Sequence, residues 1–300
     1  MVSIVLPTYN GAKYIKNSIQ SIIAQTYTDW ELIVIDDCST DSTNTIVSEF
    51  AKKDKRIKLF KNEKNMRLPA SLNIGFSKSK GEYFTWTSDD NLYKPCAIEQ
   101  LIKTLQENVN IGLVFSRMEN IDANGKSKGL SYSPKEIEEL HYHNIVGASF
   151  MYTRTVYDKI GDYDTNKFLM EDYDYWLRIS RVYTIKYLPD VLYQYRQHKG
   201  SLTESRNKLV LESKIRLLEE ELSLTELNTD ILRMVYKELA EASFSLNRYA
   251  EMKKYLVKMK RISKNTKDVR KEVRISYIIG PNLSNIMKKI FKKSKQELFK

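Results

Sequence analysis

Two runs of adjacent carboxylates, Asp36-Asp37 and Asp89-Asp90, are the residues of this 300-residue chain best suited to chemistry. Neighbouring anions repel, and taking both out of water is costly unless a cation joins them. Oxygen donors in this pattern suit Mg²⁺ or Mn²⁺, hard ions that keep waters and bind phosphate oxygens as well. The usual glycine cradles for phosphate are missing. No Gly-x-Gly-x-x-Gly follows a strand, and Gly125-Lys126-Ser127 fails as a P-loop because Asn120 stands at the upstream glycine position. A nucleotide diphosphate held at these acids would be neutralised by metal rather than by a glycine-rich turn. A further acidic group, Glu171-Asp172-Tyr173-Asp174, precedes Tyr175-Trp176-Leu177-Arg178. An acid at a helix start is either a cap favoured by the macrodipole or a general base for an attacking hydroxyl; the local text alone favours the cap.

The elements that must position these acids follow from hydrophobic periodicity. Residues 2–6 read as a buried strand ended by Pro7, and 32–35, 57–60, 83–86 and 112–115 as further strands. Between them, Ile15, Ile19, Ile22 and Ile23 recur at helical spacing, Ser39-Thr40-Asp41 offers a cap, and Pro69 and Pro95 open two more helices. Alternation of this kind predicts right-handed crossovers and a mostly parallel α/β sheet flanked by helices. Ligands of open parallel sheets sit beyond the carboxyl ends of the strands. Pro7-Thr8-Tyr9-Asn10, Asp36-Asp37 and Ser88-Asp89-Asp90-Asn91 all stand at such exits. Past residue 116 the pattern loosens. Residues 118–135 read as a mobile surface loop, with a lid over a donor as the alternative. Residues 145–153 read as strand, 171–181 as helix and 183–195 as a pair of short strands. From about 206 the text turns helical and charged, which places a domain boundary near 205.

The formal charge of +11 sits in the tail: residues 251–300 hold 16 Lys and Arg against four acids, leaving 33 bases and 34 acids in the first 250. The body is nearly neutral, which argues against a nucleic-acid-binding body. Cys38 and Cys96 are too few for a disulfide framework or a cysteine zinc site. No run approaches 18 apolar residues, and the first residues do not read as a secretory signal. The expectation is a cytoplasmic protein.

Ser3-Ile4-Val5-Leu6-Pro7-Thr8-Tyr9-Asn10 and Val34-Ile35-Asp36-Asp37-Cys38-Ser39-Thr40-Asp41 strongly resemble the opening of family 2 glycosyltransferases of the GT-A (Rossmann-like) fold. Gly81-Glu82-Tyr83-Phe84, leading to Ser88-Asp89-Asp90-Asn91, is similar to that family's Asp-x-Asp region, and Glu171 to Arg178 to its Glu-Asp segment. The four motifs span residues 3–200; the last hundred are not covered. The resemblance implies inverting transfer of a sugar, hexosyl or N-acetylhexosaminyl, from a UDP-linked donor to a hydroxyl of a glycan or lipid-linked saccharide, as in bacterial cell-envelope polysaccharide synthesis. It implies that Pro7, Thr8 and Tyr9 line the nucleoside, Asp37 accepts from the uracil ring, and Asp89 faces the ribose or diphosphate. Asp90 would hold Mn²⁺ or Mg²⁺. Asp172 would be the base and Glu171 would orient the acceptor, which reverses the preference for capping. Two departures stand out. Ser71-Leu72-Asn73 occupies the place of a common Ala-Arg-Asn, so that Arg67 would substitute for the missing basic contact, and Thr87 stands where an Asp often begins the Asp-x-Asp.

His198, in Tyr195-Arg196-Gln197-His198, is a candidate third metal ligand or phosphate donor, with a plain surface histidine as the even alternative. His141 and His143 read as solvent-facing side chains. Ile286, Met287, Ile290 and Phe291 recur at helical spacing among five lysines. That pattern suits a basic amphipathic helix on an anionic membrane surface, the inner face of the cell membrane, with packing on the preceding helices as the alternative. The expected division is a catalytic domain over 1–205 and a helical, basic region over 206–300. The competing function is a catalytically degenerate module that binds nucleotide sugar or docks at a membrane. A nucleotidyltransferase is a third, disfavoured by the lack of a glycine- and basic-rich phosphate loop.

Overall fold

The computed structural model describes residues 1–108, 110–201, 205–263, 269–271 and 273–277. The run 286–295, expected as a membrane-surface helix, lies outside the described residues. Contacts divide the chain into two compact units, residues 1–140 with 144–205, and residues 141–143 with those from 206 on.

The first unit is built on a nine-stranded sheet. Its strands are Val2–Thr8 (β1), Trp30–Asp36 (β2), Ile57–Lys61 (β3), Tyr83–Trp86 (β4), Leu92–Tyr93 (β5), Ile111–Ile121 (β6), Ser127–Leu130 (β7), Phe150–Thr153 (β8) and Thr184–Arg196 (β9). The order is β3-β2-β1-β4-β8-β6-β9-β5, with β7 paired to β6. Pairings among β3, β2, β1 and β4 are all parallel, as the strand–helix alternation predicts. Beyond β4 the sheet is mixed: β8 runs antiparallel to both β4 and β6, while β9 runs parallel to β6.

The helices are Ile15–Ile23 (α1), Thr43–Lys53 (α2), Leu68–Ser77 (α3), Ala97–Gln106 (α4), Arg154–Ile160 (α5) and Glu171–Ser180 (α6). Side chains alternate across a strand. Val2, Ile4 and Leu6 of β1 accordingly join one apolar cluster with Ile15 and Ile19 of α1, Val47 of α2 and Ile98 and Leu101 of α4. On the opposite face α3 lies so close that a Cβ on Gly75 would stand 2.3 Å from Val5 Cγ1. Both faces of the parallel part are therefore covered, and its polar groups can emerge only at strand ends.

Four expectations need correction. β1 runs through Pro7 to Thr8 instead of stopping at Leu6. Val5 accepts from Thr87 N, on the β4 side. Pro7 faces that same side two residues later, where β4 has ended and no N–H is needed. Residues 118–135 are not one loop: β6 continues to Ile121, turns over Asp122–Lys126 and returns as β7. The Asn-Asp-Gly-Ser-Lys composition belongs to the hairpin turn and its exposed return strand. The stretch 183–195 is one long strand whose pairing with β6 shifts register, not two short ones. In 145–153 only β8 is strand, because Gly147 turns the backbone at φ 64.

The second unit contains helices Asn207–Leu224 (α7), Thr229–Ser245 (α8) and Tyr249–Ile262 (α9). Leu218, Val235, Leu239, Met252, Leu256 and Met259 are buried there. Asn228 caps α8 by accepting from Ile231 N. Lys214 pairs with Glu238 at 2.7 Å, and His141 Nδ1 lies 2.9 Å from the buried Glu221 carboxylate. Among the described residues no helix is long and apolar enough to cross a membrane.

Candidate active site

The parallel strands end in a linked set of polar groups. Asp37 N donates to Thr8 O at 2.8 Å, joining the exits of β1 and β2. Thr8 Oγ1 donates to Asp89 Oδ2 at 2.5 Å, joining β1 to the segment after β4. Burial pushes the Asp89 carboxyl up to about 7, against the Thr8 hydrogen bond and with help from the Asp90 and Asp41 charges. Gly11 makes room for this carboxylate: a Cβ there would stand 2.1 Å from Asp89 Oδ2 and 2.6 Å from Thr8 Oγ1.

Asp90 and His198 meet, although 108 residues separate them: Asp90 Oδ2 and His198 Nε2 are 2.9 Å apart. The pair is held by Arg196, a residue whose role the sequence did not disclose. Arg196 is only 4% exposed. Its Nε donates to Asp90 O at 2.8 Å, its Nη1 to Asp122 O at 3.0 Å in the β6–β7 turn, and its backbone N to Asn91 Oδ1 at 2.8 Å. Its guanidinium also lies 4.7 Å from the centre of the Tyr14 ring, which in turn packs 5.2 Å from the His198 ring.

The Asp90 carboxylate is a donor of the kind Mg²⁺ and Mn²⁺ take, alongside water and phosphate oxygens, and the His198 imidazole is a second possible donor to a divalent ion. Among the described residues no cluster of three His, Cys, Asp or Glu side chains offers a complete protein cage. Asp90 and His198 could supply only part of a metal's coordination sphere.

The remaining expected residues are placed as follows. Pro7 and Thr8 are buried in the β1 end, whereas Tyr9 is 52% exposed. Asp37 is turned toward the loop before α3. Its carboxylate accepts from Asn62 Nδ2 at 2.7 Å, Met66 N at 2.7 Å and Arg67 N at 2.9 Å. A carboxylate has about four lone-pair positions, so one is left for a ligand. Arg67 is exposed, has a left-handed backbone (φ 68), and lies with its guanidinium 5.3 Å from the Phe168 ring centre.

Both departures from the family pattern have structural reasons. Thr87 is buried and its hydroxyl lies 2.5 Å from the Tyr193 hydroxyl; an Asp there would be a charge sealed in the sheet. Leu72 is fully buried, and Asn73 beside it clamps the backbone of Tyr163 through two hydrogen bonds of 2.8 and 2.9 Å.

A second acidic pair begins α6. Glu171 is 4% exposed, and among the described residues its Oε2 has no hydrogen-bond partner. Burial, and then the neighbouring Asp172 charge, hold its carboxyl well above the usual carboxylate range. Asp172 is half-buried. Its Oδ1 accepts from Tyr173 N at 2.7 Å and its Oδ2 from Asn144 Nδ2 at 3.0 Å. Its carboxyl is also raised, by burial, despite those two hydrogen bonds. Asp174 instead pairs with Arg178 at 2.9 Å. Trp86, near the β4 exit, donates to the Tyr163 hydroxyl at 3.2 Å, tying the segment ahead of α6 to the end of β4.

An α/β unit with clustered acids at the exits of its parallel strands defines a GT-A architecture, and two solved structures share it. TarS 1–349 of S. aureus in complex with UDP-GlcNAc superposes with a TM-score of 0.64 at 19% identity, covering 91% of this chain and 82% of that one. A mannosyltransferase from Pyrobaculum calidifontis in complex with GDP-Man and Mn²⁺ gives a TM-score of 0.63 at 16% identity, covering 97% and 87%. In sequence, residues 3–161 match the model of glycosyl transferase family 2, and the chain belongs to that family. It is 33% identical over 216 residues to an uncharacterized glycosyltransferase of Rickettsia typhi, covering 68% of this chain and 66% of that relative. Over 225 residues it is 26% identical to the chondroitin synthase of Escherichia coli, covering 74% of this chain and 33% of that protein.

Proposed function

We propose that the chain transfers a sugar, with inversion, from a nucleotide sugar to a hydroxyl of a glycan or lipid-linked saccharide. The observation that carries this reading is the hydrogen-bonded assembly of four strand exits, Thr8 with Asp89 and Asp37, and Asp90 with His198, at the end of the parallel part of the sheet, where diphosphates bind. The nucleoside would lie along Pro7, Thr8 and Tyr9, within reach of the free acceptor position on Asp37 and of Arg67. Asp89 would face the ribose or diphosphate. Asp90 and His198 would hold Mn²⁺ or Mg²⁺, which supplies Lewis-acid stabilisation of the charge that grows on the leaving diphosphate.

The reaction balances simply. The acceptor oxygen bonds to the anomeric carbon as the bond from that carbon to the diphosphate oxygen breaks, and Asp172 takes the acceptor's proton. Attack from the face opposite the leaving group inverts the centre, by the geometry that governs inverting hydrolases. A raised carboxyl suits this task, because a base of higher pKa draws a proton more strongly. The buried Glu171 beside it would orient the acceptor. UDP as the nucleotide, a hexosyl or N-acetylhexosaminyl group and a role in envelope polysaccharide synthesis are supported by the motif set and by the glycan and nucleotide-sugar proteins that the chain resembles. A cytoplasmic enzyme working at the inner membrane face would meet such acceptors.

A thermal-shift panel of UDP-, GDP- and dTDP-sugars with and without Mn²⁺ tests the reading. A UDP-sugar should raise the melting temperature in a Mn²⁺-dependent way, by mass action. No shift with any nucleotide sugar would contradict it, and a shift with GDP-sugars alone would overturn the uracil contacts.

A further inference from the structure

The base assigned to Asp172 is held by a residue from outside its own helix. Asp172 Oδ1 accepts from the adjacent Tyr173 N, a contact within the first turn of α6. Its Oδ2 is met by Asn144 Nδ2 at 3.0 Å, from the segment that leads into β8. An amide can present either its oxygen or its nitrogen, and the two ends have opposite effects on a carboxylate. Here the choice is fixed, because Gly147 N donates to Asn144 Oδ1 at 3.3 Å and leaves the NH₂ group facing Asp172. Gly147 can do so only in a left-handed turn (φ 64), and a Cβ there would stand 2.5 Å from Met118 Cε. The turn 144–147 is thus braced against β6 with its amide donor aimed at the acid.

We propose that Asn144 is a positioning residue for Asp172. Its locked amide fixes the orientation of the carboxylate and holds it in the ionised form, leaving a lone pair of Oδ2 for the acceptor's proton. The inference rests on the reading of Asp172 as the base. A neutral donor suits the role: it stabilises the anion without the full charge that would spoil its basicity. The ionisable groups that face Asp172 are Glu171 on its own helix, whose charge couples to it, and the Tyr163 hydroxyl, pushed well up by burial. Burial works against ionisation of Asp172, whereas the Asn144 and Tyr173 hydrogen bonds work for it.

The test compares wild type with Asn144→Leu and Asn144→Gln. ¹³C NMR would follow the Asp172 side-chain carboxyl, assigned by its loss in Asp172→Asn, through a pH titration. The same variants would be assayed for hydrolysis of UDP-GlcNAc, UDP-Glc and UDP-Gal, with water standing in for the acceptor. In Asn144→Leu the Asp172 titration should move to higher pH. The acid limb of kcat/KM should move with it, giving a loss of about 3–10-fold at pH 6 that shrinks toward pH 9. Asn144→Gln, which keeps an amide donor, should restore part of both. An Asp172 titration unchanged in a folded Asn144→Leu variant overturns the inference. A shifted titration with an unmoved acid limb upholds the contact and overturns Asp172 as the base. Should Asn144→Leu fail to fold, the Asn144→Gln titration decides, because its longer side chain displaces the donor: an unchanged curve with unchanged activity counts against the positioning role.

Discussion

Asp89-Asp90 and Glu171-Asp172 are both adjacent acid pairs with a carboxyl raised by burial, yet their partners differ. The first pair stands at a strand exit among polar partners: Thr8 on Asp89, His198 on Asp90, and the Arg196 guanidinium on the backbone beneath. The second stands at a helix start, where among the described residues one oxygen of Glu171 has no partner and Asp172 is met by Asn144 and Tyr173; burial raises both of its carboxyls, as it raises that of Asp89. Groups held by polar neighbours, with lone pairs to spare, suit a cation and a diphosphate. Desolvated carboxyls suit proton transfer, since burial raises their affinity for a proton. On the proposed reading, the same two-residue pattern would serve charge neutralisation at Asp90, beside His198, and base catalysis at Asp172.

The sharpest way to break this contrast is Asp172→Asn. It should lower kcat by about 10²–10⁴-fold while leaving donor affinity unchanged, measured as kcat against the donor dissociation constant. Asp90→Ala should cost about 10²–10³-fold and abolish any response to Mn²⁺. A wild-type rate of UDP-sugar hydrolysis in that variant would remove the metal role. Arg196→Lys keeps the charge but loses the planar fork that joins Asp90 to the β6–β7 turn. An effect of about 10–100-fold on kcat/KM, with Mn²⁺ affinity weakened alongside, is expected.

Stability sharpens the comparison further. The Glu171 and Asp172 carboxyls are raised on folding, so the folded state holds protons that the unfolded chain releases. Their contribution is fully present below the ordinary carboxylate range and is lost as pH rises through the raised folded values. Glu171→Gln should therefore raise the melting temperature by a few degrees, more at pH 9 than at pH 5, as read by calorimetry. The smallest effect expected is that of Gly11→Ala. Its methyl group must push the Asp89 carboxylate aside, which should raise the donor KM a few-fold with little change in kcat.

The parallel half of the first unit was legible in the sequence because short, largely apolar stretches alternate there with helical periodicity. The long β9 was not, since Pro189-Asp190 reads as a break, and the register shift against β6 that absorbs it leaves no local trace. The β6–β7 hairpin was hidden because its exposed return strand carries turn-like residues. In the site, acids at strand exits could be named from their positions alone. Arg196, Asn144 and Gly11 could not, because what they do depends on partners 106, 28 and 78 residues away. Arg196 sat two residues from His198 in a stretch already singled out, and a buried arginine beside a candidate ligand was the available signal. Thr87 and Leu72 looked like losses from the family pattern; both are buried, and the Thr87 hydroxyl meets that of Tyr193.

The most direct test of the division of labour between the two acid pairs is calorimetric titration of UDP, with Mn²⁺ present and absent, into wild type, Asp90→Asn and Asp172→Asn. Wild type and Asp172→Asn should bind UDP alike and only with Mn²⁺, while Asp90→Asn should lose the Mn²⁺-dependent binding. Retained Mn²⁺-dependent binding in Asp90→Asn, or its loss in Asp172→Asn, would contradict the assignment.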